Sequence, residues 1–351
     1  MNLLVIEKQK MRQNLTLCKQ RARGAVIYGV LKGDAYGLGL VETARLMRDE
    51  GVTRFAVGHP REGALLRREG FAHEEILLLR STADPEEIET LLEAGLVASV
   101  GSRDAAVALS GLAEKRGTVA EAHLKIDTGL GRYGFLPEEF DKIQSVYQYM
   151  NGVAVAGVYT HLNAYAGARG VKGQMERFKA LLTRMQSAGL ETGVIHAAGS
   201  TALFRYDLPR LDAVRIGRAV SGRLPGKGYG LQPVGFAECP IAELSWLPKG
   251  HRTGSSETYR FRRNTRVGVL PIGTADGFQV GRLKRLPFLS LRGLFPKRIQ
   301  VGIGAERARV LGSVGLEHTV IDCQNVSCAV GDLVRVDLDP VFAGRLPKRY
   351  V

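Results

Sequence analysis

Lys32 stands at the end of an apolar run, AVIYGVL, and is followed by the glycine-rich GDAYGLG. A lysine at the end of a buried strand costs free energy unless it is paired or chemically used. Other polar residues close similar runs: His59 after RFAVG, Lys125 and Asp127 in AEAHLKID, His161 in AVAGVYTHL, Ser200 at the end of TGVIHAAGS and Arg215 in DAVRIGR. A row of polar groups at strand ends is hard to explain by packing alone. A desolvated lysine amine forms Schiff bases with carbonyl compounds. Gly199 and Ser200 open a helix-like TALF segment, where backbone N–H groups favour phosphate. Arg215, with the glycine backbone at Gly217, adds a cation and a close-approach site, and His161 supplies an imidazole.

The elements that must position these groups alternate in type. Eight strand-like runs, ending with DAVRIGRAVSG, are separated by seven helical patterns such as LVETARLMRDEG, DPEEIETLLEAG and GQMERFKALLTRMQSAG, after a helical opening at residues 6–22. Several helices stop at glycine, and DPEE and LPEE place proline and acids in a first turn, where they suit the helix dipole. This alternation predicts an α/β fold with an N-terminal (β/α)8 TIM-like barrel, whose chemistry sits at the C-terminal strand ends. After Gly222 the Gly- and Pro-rich GRLPGKGYGLQP reads as a linker. Beyond it, short β-like runs (RVGVLPIG, RIQVGIG, RARVLGSVG, HTVIDC, LVRVDL) predict a smaller all-β C-terminal domain, dividing the chain into residues 1–225 and 226–351.

Composition narrows the function class. The chain has 351 residues, 45% apolar and 24% charged, with a formal net charge of +14. No apolar run approaches a membrane span. The opening MNLLVIEKQKMRQNL lacks the apolar core and cleavage site of a secretory signal, so a cytoplasmic location is expected. Cys18, Cys239, Cys323 and Cys328 have no metal-ligand spacing and read as reduced structural thiols, so no metal is expected. The late basic clusters carry no aromatic interleaving or helix-turn-helix signature, which favours anionic small molecules or a subunit surface over nucleic acid.

A lysine at a barrel strand end, a phosphate cradle, a ring-facing imidazole and a buried arginine together suit pyridoxal 5'-phosphate (PLP). Here the sequence resembles the alanine racemase family, PLP enzymes with a barrel followed by a β domain. VLKGDAYGLG resembles the family's V-K-A-N-A-Y-G-H-G, HLKIDTGLGRYGF its H-L-K-I-D-T-G-M-G-R-L-G-F, and YTHLNAY its T-H-F segment. HAAGSTA, VRIGRAVSG, VLPIGTADGF and the closing RLPKRYV follow the family's order as well.

The resemblance implies roles. Lys32 holds PLP as a Schiff base and exchanges a proton at Cα of an amino acid, interconverting L and D forms. Tyr36, Ser200 and the backbone near Gly217 bind the phosphate, His161 sits beside the ring, and Arg215 faces the pyridine nitrogen. Arg132 pairs with the substrate carboxylate. Lys125 is the lysine that relatives carbamylate to brace that arginine. A homodimer is implied, because the family's sites combine two subunits. Asp127 orients its neighbours or caps a turn, and His59 and His196 read as structural.

Departures fall in the β domain. The family's second proton carrier, a tyrosine, aligns with Ser255, and a segment that helps bind the substrate carboxylate aligns with Gly315, Leu316 and Glu317, which makes Leu316 the substrate-side candidate. A second family tyrosine aligns with Thr274, the asparagine of A-N-S with Gly199 and the tyrosine of L-Y-G with Ser221. A serine needs activation to act as a base, and His251, Glu257 and Tyr259 are neighbouring alternatives. The readings are a racemase with a changed second base, a one-base PLP decarboxylase, lyase or carrier, and a basic non-enzymatic barrel.

Overall fold

The computed structural model describes residues 1–226, 228–253, 259–281 and 299–351. Its chain forms two compact units, residues 10–233 and a second that joins residues 1–9 to 234–351.

Within the first unit the eight strands read from the sequence are all present. They are β2 (Val26–Val30), β3 (Arg54–Val57), β4 (Glu75–Leu78), β5 (Ala98–Val100), β6 (Ala120–Ile126), β7 (Val153–Thr160), β8 (Val194–Gly199) and β9 (Ala213–Ile216), numbered after an N-terminal strand β1 (Leu3–Ile6). They pair in the order β4-β3-β2-β9-β8-β7-β6-β5, every pair parallel. A parallel bridge between Leu77 and Val97 joins the two ends, so the sheet closes into a barrel. Strands of such a barrel are covered on both faces, which is why β3 and β4 each bury three successive residues instead of alternating.

Local chemistry sets the helix starts. Asp84 caps the helix Pro85–Glu93 by accepting the Glu87 N–H at 3.0 Å, and Ser102 caps Arg103–Lys115 by accepting from Ala105 at 3.2 Å. The helix expected to begin at LPEE begins instead at Phe140, and the one expected from GQMERF reaches back to Gly167. Asn14, fully buried on the helix Lys8–Ala22, fastens the end of this unit: it donates to the carbonyls of Val220 (3.0 Å) and Gln232 (2.8 Å) and accepts the Gln232 N–H at 2.8 Å.

The second unit is built on a nine-stranded sheet. The strand β1, absent from the sequence reading, lies inside it: β1 pairs antiparallel with Phe236–Pro240 and parallel with Lys348–Tyr350. Three distant pieces of chain therefore meet at one edge, a pairing with no local sequence signature. No helix among the described residues is long and apolar enough to cross a membrane. Cys18, Cys239 and Cys323 are buried free thiols, each pushed up to about 12 by burial above all.

Replacing Asn14 by Leu strands two carbonyls and an N–H, so Asn14→Leu should lower the unfolding free energy by about 3 kcal/mol. Urea denaturation followed by circular dichroism measures this; an unchanged midpoint would show that the clasp is dispensable.

Candidate active site

Lys32 follows β2 directly and begins an unusual turn. Gly33, Asp34, Ala35 and Tyr36 all have positive φ (63°, 54°, 52° and 58°), a full left-handed turn containing three non-glycine residues. Such backbone is disfavoured for L-residues and persists only where surrounding bonds over-determine it. Here Glu62, in the first turn of the helix Pro60–Arg68, accepts the N–H of Gly33 at 3.0 Å, while its other oxygen accepts from Gly58 (2.8 Å) and His59 (3.1 Å). Asp34 accepts from Leu40 at 2.8 Å. The turn aims Lys32 and Tyr36 into one cavity of about 470 Å³ at the C-terminal ends of the barrel strands.

Lys125, Arg132, His161, Ser200, Arg215 and Gly217 line the same cavity. With Lys32 and Tyr36 they come from five different strands, or from the segments that follow them, and converge as the barrel rule requires. Leu316 belongs to the other unit and is exposed; its carbonyl accepts the Ala275 N–H at 2.9 Å, beside the TADG turn. Ser255 lies outside the described residues, as does Glu257.

The cavity is cationic. Lys32, Lys125, Arg132 and Arg215 are joined by Arg80 and Arg218, and among the described residues that line it none is acidic. Burial lowers the Lys32 pKa, reinforced by Arg132 and Arg215 and opposed by Glu62. Burial and Arg132, then Arg215 and Lys32, bring Lys125 down to about 8, with Asp127 opposing. Lys125 donates to the Leu79 carbonyl at 3.3 Å and lies over the Tyr133 ring at 5.1 Å. Both lysines are therefore shifted toward the neutral amine, the nucleophilic form.

Asp127 shapes the turn that carries Arg132. Its carboxylate accepts the N–H groups of Gly129 and Leu130 (2.8 Å each) and of Arg132 (3.0 Å). Partial burial pushes its pKa up, but these backbone donors outweigh that and hold it below the usual carboxylate range. Ser200 Oγ accepts the N–H groups of Gly217 (3.1 Å) and Ala219 (3.3 Å), locking the start of the helix Ser200–Arg205 to the segment after β9. A Cβ on Gly217 would lie 2.4 Å from the Tyr36 ring and 2.7 Å from the Val30 carbonyl, so only glycine lets that ring approach the backbone.

Arg215 is 3% exposed, and among the described residues its hydrogen-bond partners include no carboxylate. It donates to His196 Nδ1 at 2.7 Å, to the Thr160 and Ala197 carbonyls at 2.7 and 2.9 Å, and to His161 Nδ1 at 3.1 Å. Burial first, then Arg215 itself, drives the pKa of His161 and of His196 well below the usual value, so both are neutral acceptors.

Known proteins bear on this arrangement. The family model for the alanine racemase N-terminal domain matches residues 6–225, and that for the C-terminal domain matches residues 236–338. An alanine racemase of Carboxydothermus hydrogenoformans is 34% identical over 281 residues, 78% of this chain and 75% of that protein. One from Desulforamulus reducens is 32% identical over 311 residues, 86% and 80% of the two chains. The chain belongs to the alanine racemase family.

Solved structures agree. An alanine racemase of Streptomyces coelicolor superposes with a TM-score of 0.85 at 25% identity, covering all of this chain and 98% of that one. That of Streptomyces lavendulae gives 0.87 at 24% identity, covering 100% and 97%, a likeness of fold. The protein is an enzyme of the alanine racemase type, and the cavity just described is its candidate active site. Sequence reasoning missed Arg80, Arg218 and Tyr159 as cavity residues. Arg80 follows the run EILLL and stands at a strand end like the others, so its position was a usable signal. Tyr159 lies within a buried strand and had none. His59 does not line the cavity; it lies 3.4 Å from Glu87.

The depressed Lys125 pKa has a stability consequence. Between about 8 and 10.5 the unfolded chain binds the extra proton and the folded chain does not, so stability rises with pH across that window. Raised thiol pKa values act in the opposite sense above pH 9, so the Lys125 component is read as a difference: in carbon dioxide-free buffer the unfolding free energy of wild type minus that of Lys125→Met should grow from about pH 8 to 10.

Proposed function

We propose that the barrel cavity binds PLP and that the enzyme interconverts the L and D forms of an amino acid, with Lys32 as cofactor anchor and one proton carrier. The observation that carries this reading is the placement of a desolvated, pKa-lowered lysine amine within a cavity whose charged lining is wholly cationic among the described residues. A cofactor bearing an aldehyde and a phosphate, and a substrate bearing a carboxylate, fit that lining in charge and in chemistry. Tyr36, Ser200 and the Gly217 segment stand together in this cationic lining, which fits a phosphate bound among them.

When bound, PLP withdraws electrons from the substrate Cα and makes its hydrogen acidic. The chain's own residues do the rest. Lys32, whose pKa is lowered by burial and neighbouring cations, accepts or returns a proton from one side. Arg132, on the turn built by Asp127, takes the substrate carboxylate, with Leu316 of a second copy of the chain as a further substrate contact. His161 lines the ring side. Arg215 would present donors and no acceptor to a cofactor ring nitrogen, which would limit electron withdrawal and favour simple proton exchange over deeper reactions.

Lys125, with its pKa near 8, is available as a neutral amine for carbamylation by carbon dioxide. The product is an anion that would replace Lys–Arg repulsion with attraction toward Arg132. Racemisation needs a second proton carrier on the opposite side. We assign it to Ser255 of a second copy of the chain, in a homodimer, and the alanines of the named relatives make alanine the first substrate to test.

Purified protein incubated with PLP should show an absorbance band that Lys32→Ala abolishes; an unaltered band would sink the anchor assignment. In deuterated water L-alanine should lose chirality as Cα gains deuterium. Ser255→Ala should lower kcat/KM equally in the L and D directions, as an equilibrium constant of one requires, and by more than about tenfold, while Cα deuterium exchange without racemisation persists for one isomer only. Gly217→Ala should weaken PLP binding at least about tenfold by displacing Tyr36.

A further inference from the structure

Beneath Arg215 the barrel interior contains a file of polar rings that the proposed reaction does not use. His196, fully buried, accepts from Arg215 at Nδ1, so its proton is on Nε2. That Nε2 lies 2.9 Å from Nδ1 of His123, which is 1% exposed. His123 therefore accepts at Nδ1 and carries its own proton on Nε2. This Nε2 faces Glu75 across 3.9 Å, too far for a direct hydrogen bond but close for charge to act. Glu75 in turn accepts from the Tyr28 hydroxyl and pairs with Arg54 at 3.1 Å. One donor direction runs the whole way, from Arg215 through His196 and His123 toward Glu75.

The fold is adapted to the file at several points. His196 is sandwiched between Tyr28 and Tyr159, whose rings lie 5.2 and 4.7 Å away and nearly parallel, at 14° and 13°. The pairing of β6 with β7 slips between Ala122 and His123, so that His123 stands opposite Gly157. A Cβ on Gly157 would lie 2.7 Å from the His123 ring. The irregular register and the glycine together make the space for one imidazole. Burial, then Arg54 and Arg215, lowers His123 to about 4, which keeps the file neutral at physiological pH.

We propose that His196 and His123 form a neutral, tautomerically ordered file that aims Arg215 and connects it to the charge of Glu75, making His123, Glu75 and Gly157 positioning residues for the ring-facing side of the cavity. The arginine is a buried cation whose contacts are lone pairs of neutral groups. Its direction and charge are steadied by dipoles in series, the last of them pointing at a carboxylate. The consequence for activity rests on the reading that Arg215 faces the cofactor ring; the tautomer order does not.

The test labels histidine with nitrogen-15 in the whole protein, with and without PLP, at pH 7.5. Both buried histidines should appear as neutral Nε2–H tautomers in either form. An Nδ1–H tautomer at His196, or a charged His123, overturns the proposal whatever the activity. With PLP bound, Glu75→Gln and Gly157→Ala should shift the His196 resonances, lower kcat for alanine racemisation about tenfold and leave KM near wild type. Unmoved His196 resonances in both variants would overturn it too, including where Gly157→Ala proves too unstable to assay. If the wild type racemises no amino acid, the functional reading fails while the resonances still decide the file.

Discussion

Arg215 is the constraint around which the barrel interior is arranged. A guanidinium taken out of water is costly, and each unmet donor adds to the cost. The usual remedy, a carboxylate, is missing from its contacts; lone pairs of neutral imidazoles and strand-end carbonyls take its place. This forces both histidines to be uncharged, and it ties three barrel strands together through one side chain, because Thr160, Ala197 and Arg215 close β7, β8 and β9. An anionic partner would leave the cavity less positive. The neutral partners leave the arginine's field free to act on Lys32, Lys125 and whatever ligand enters.

That field explains why the cavity can bind anions and hold reactive amines at once. Cations that repel one another are expensive to gather, and the cost appears as lowered pKa values of Lys32 and Lys125. Ligand anions would relieve it. The strained left-handed turn after Lys32 is held by Glu62 through the Gly33 N–H from outside the cavity lining, and its charge offsets only part of the lowering of the Lys32 pKa. Backbone strain and charge repulsion are both stored where the family's chemistry is expected and both are balanced by bonds behind the site.

Much of the barrel was legible because its signals are local. Buried parallel strands read as unbroken apolar runs, helices carry their own caps and stops, and polar residues at strand ends stand out against such runs. Lys32, Lys125, His161, Ser200 and Arg215 were visible for that reason, and the structure places them around one cavity. β1 was not visible, since four residues, LLVI, say nothing of the strands far along the chain that they join. The file beneath Arg215 was hidden as well: His196 read as a structural core histidine, and His123 carried no signal of its own.

By itself the sequence determined the alternation of elements, the family, and the identity of the groups at the strand ends, because periodicity, capping and motif order are properties of neighbouring residues. Tertiary structure alone decided which of those groups face one another. The direct pairing of β2 with β9 brings residues more than a hundred positions apart, such as Lys32 and Arg215, to a common mouth. It also decided protonation. Whether a lysine is charged, or which nitrogen of His196 carries hydrogen, depends on burial and on partners from other strands, and those exist only once the sheet has closed.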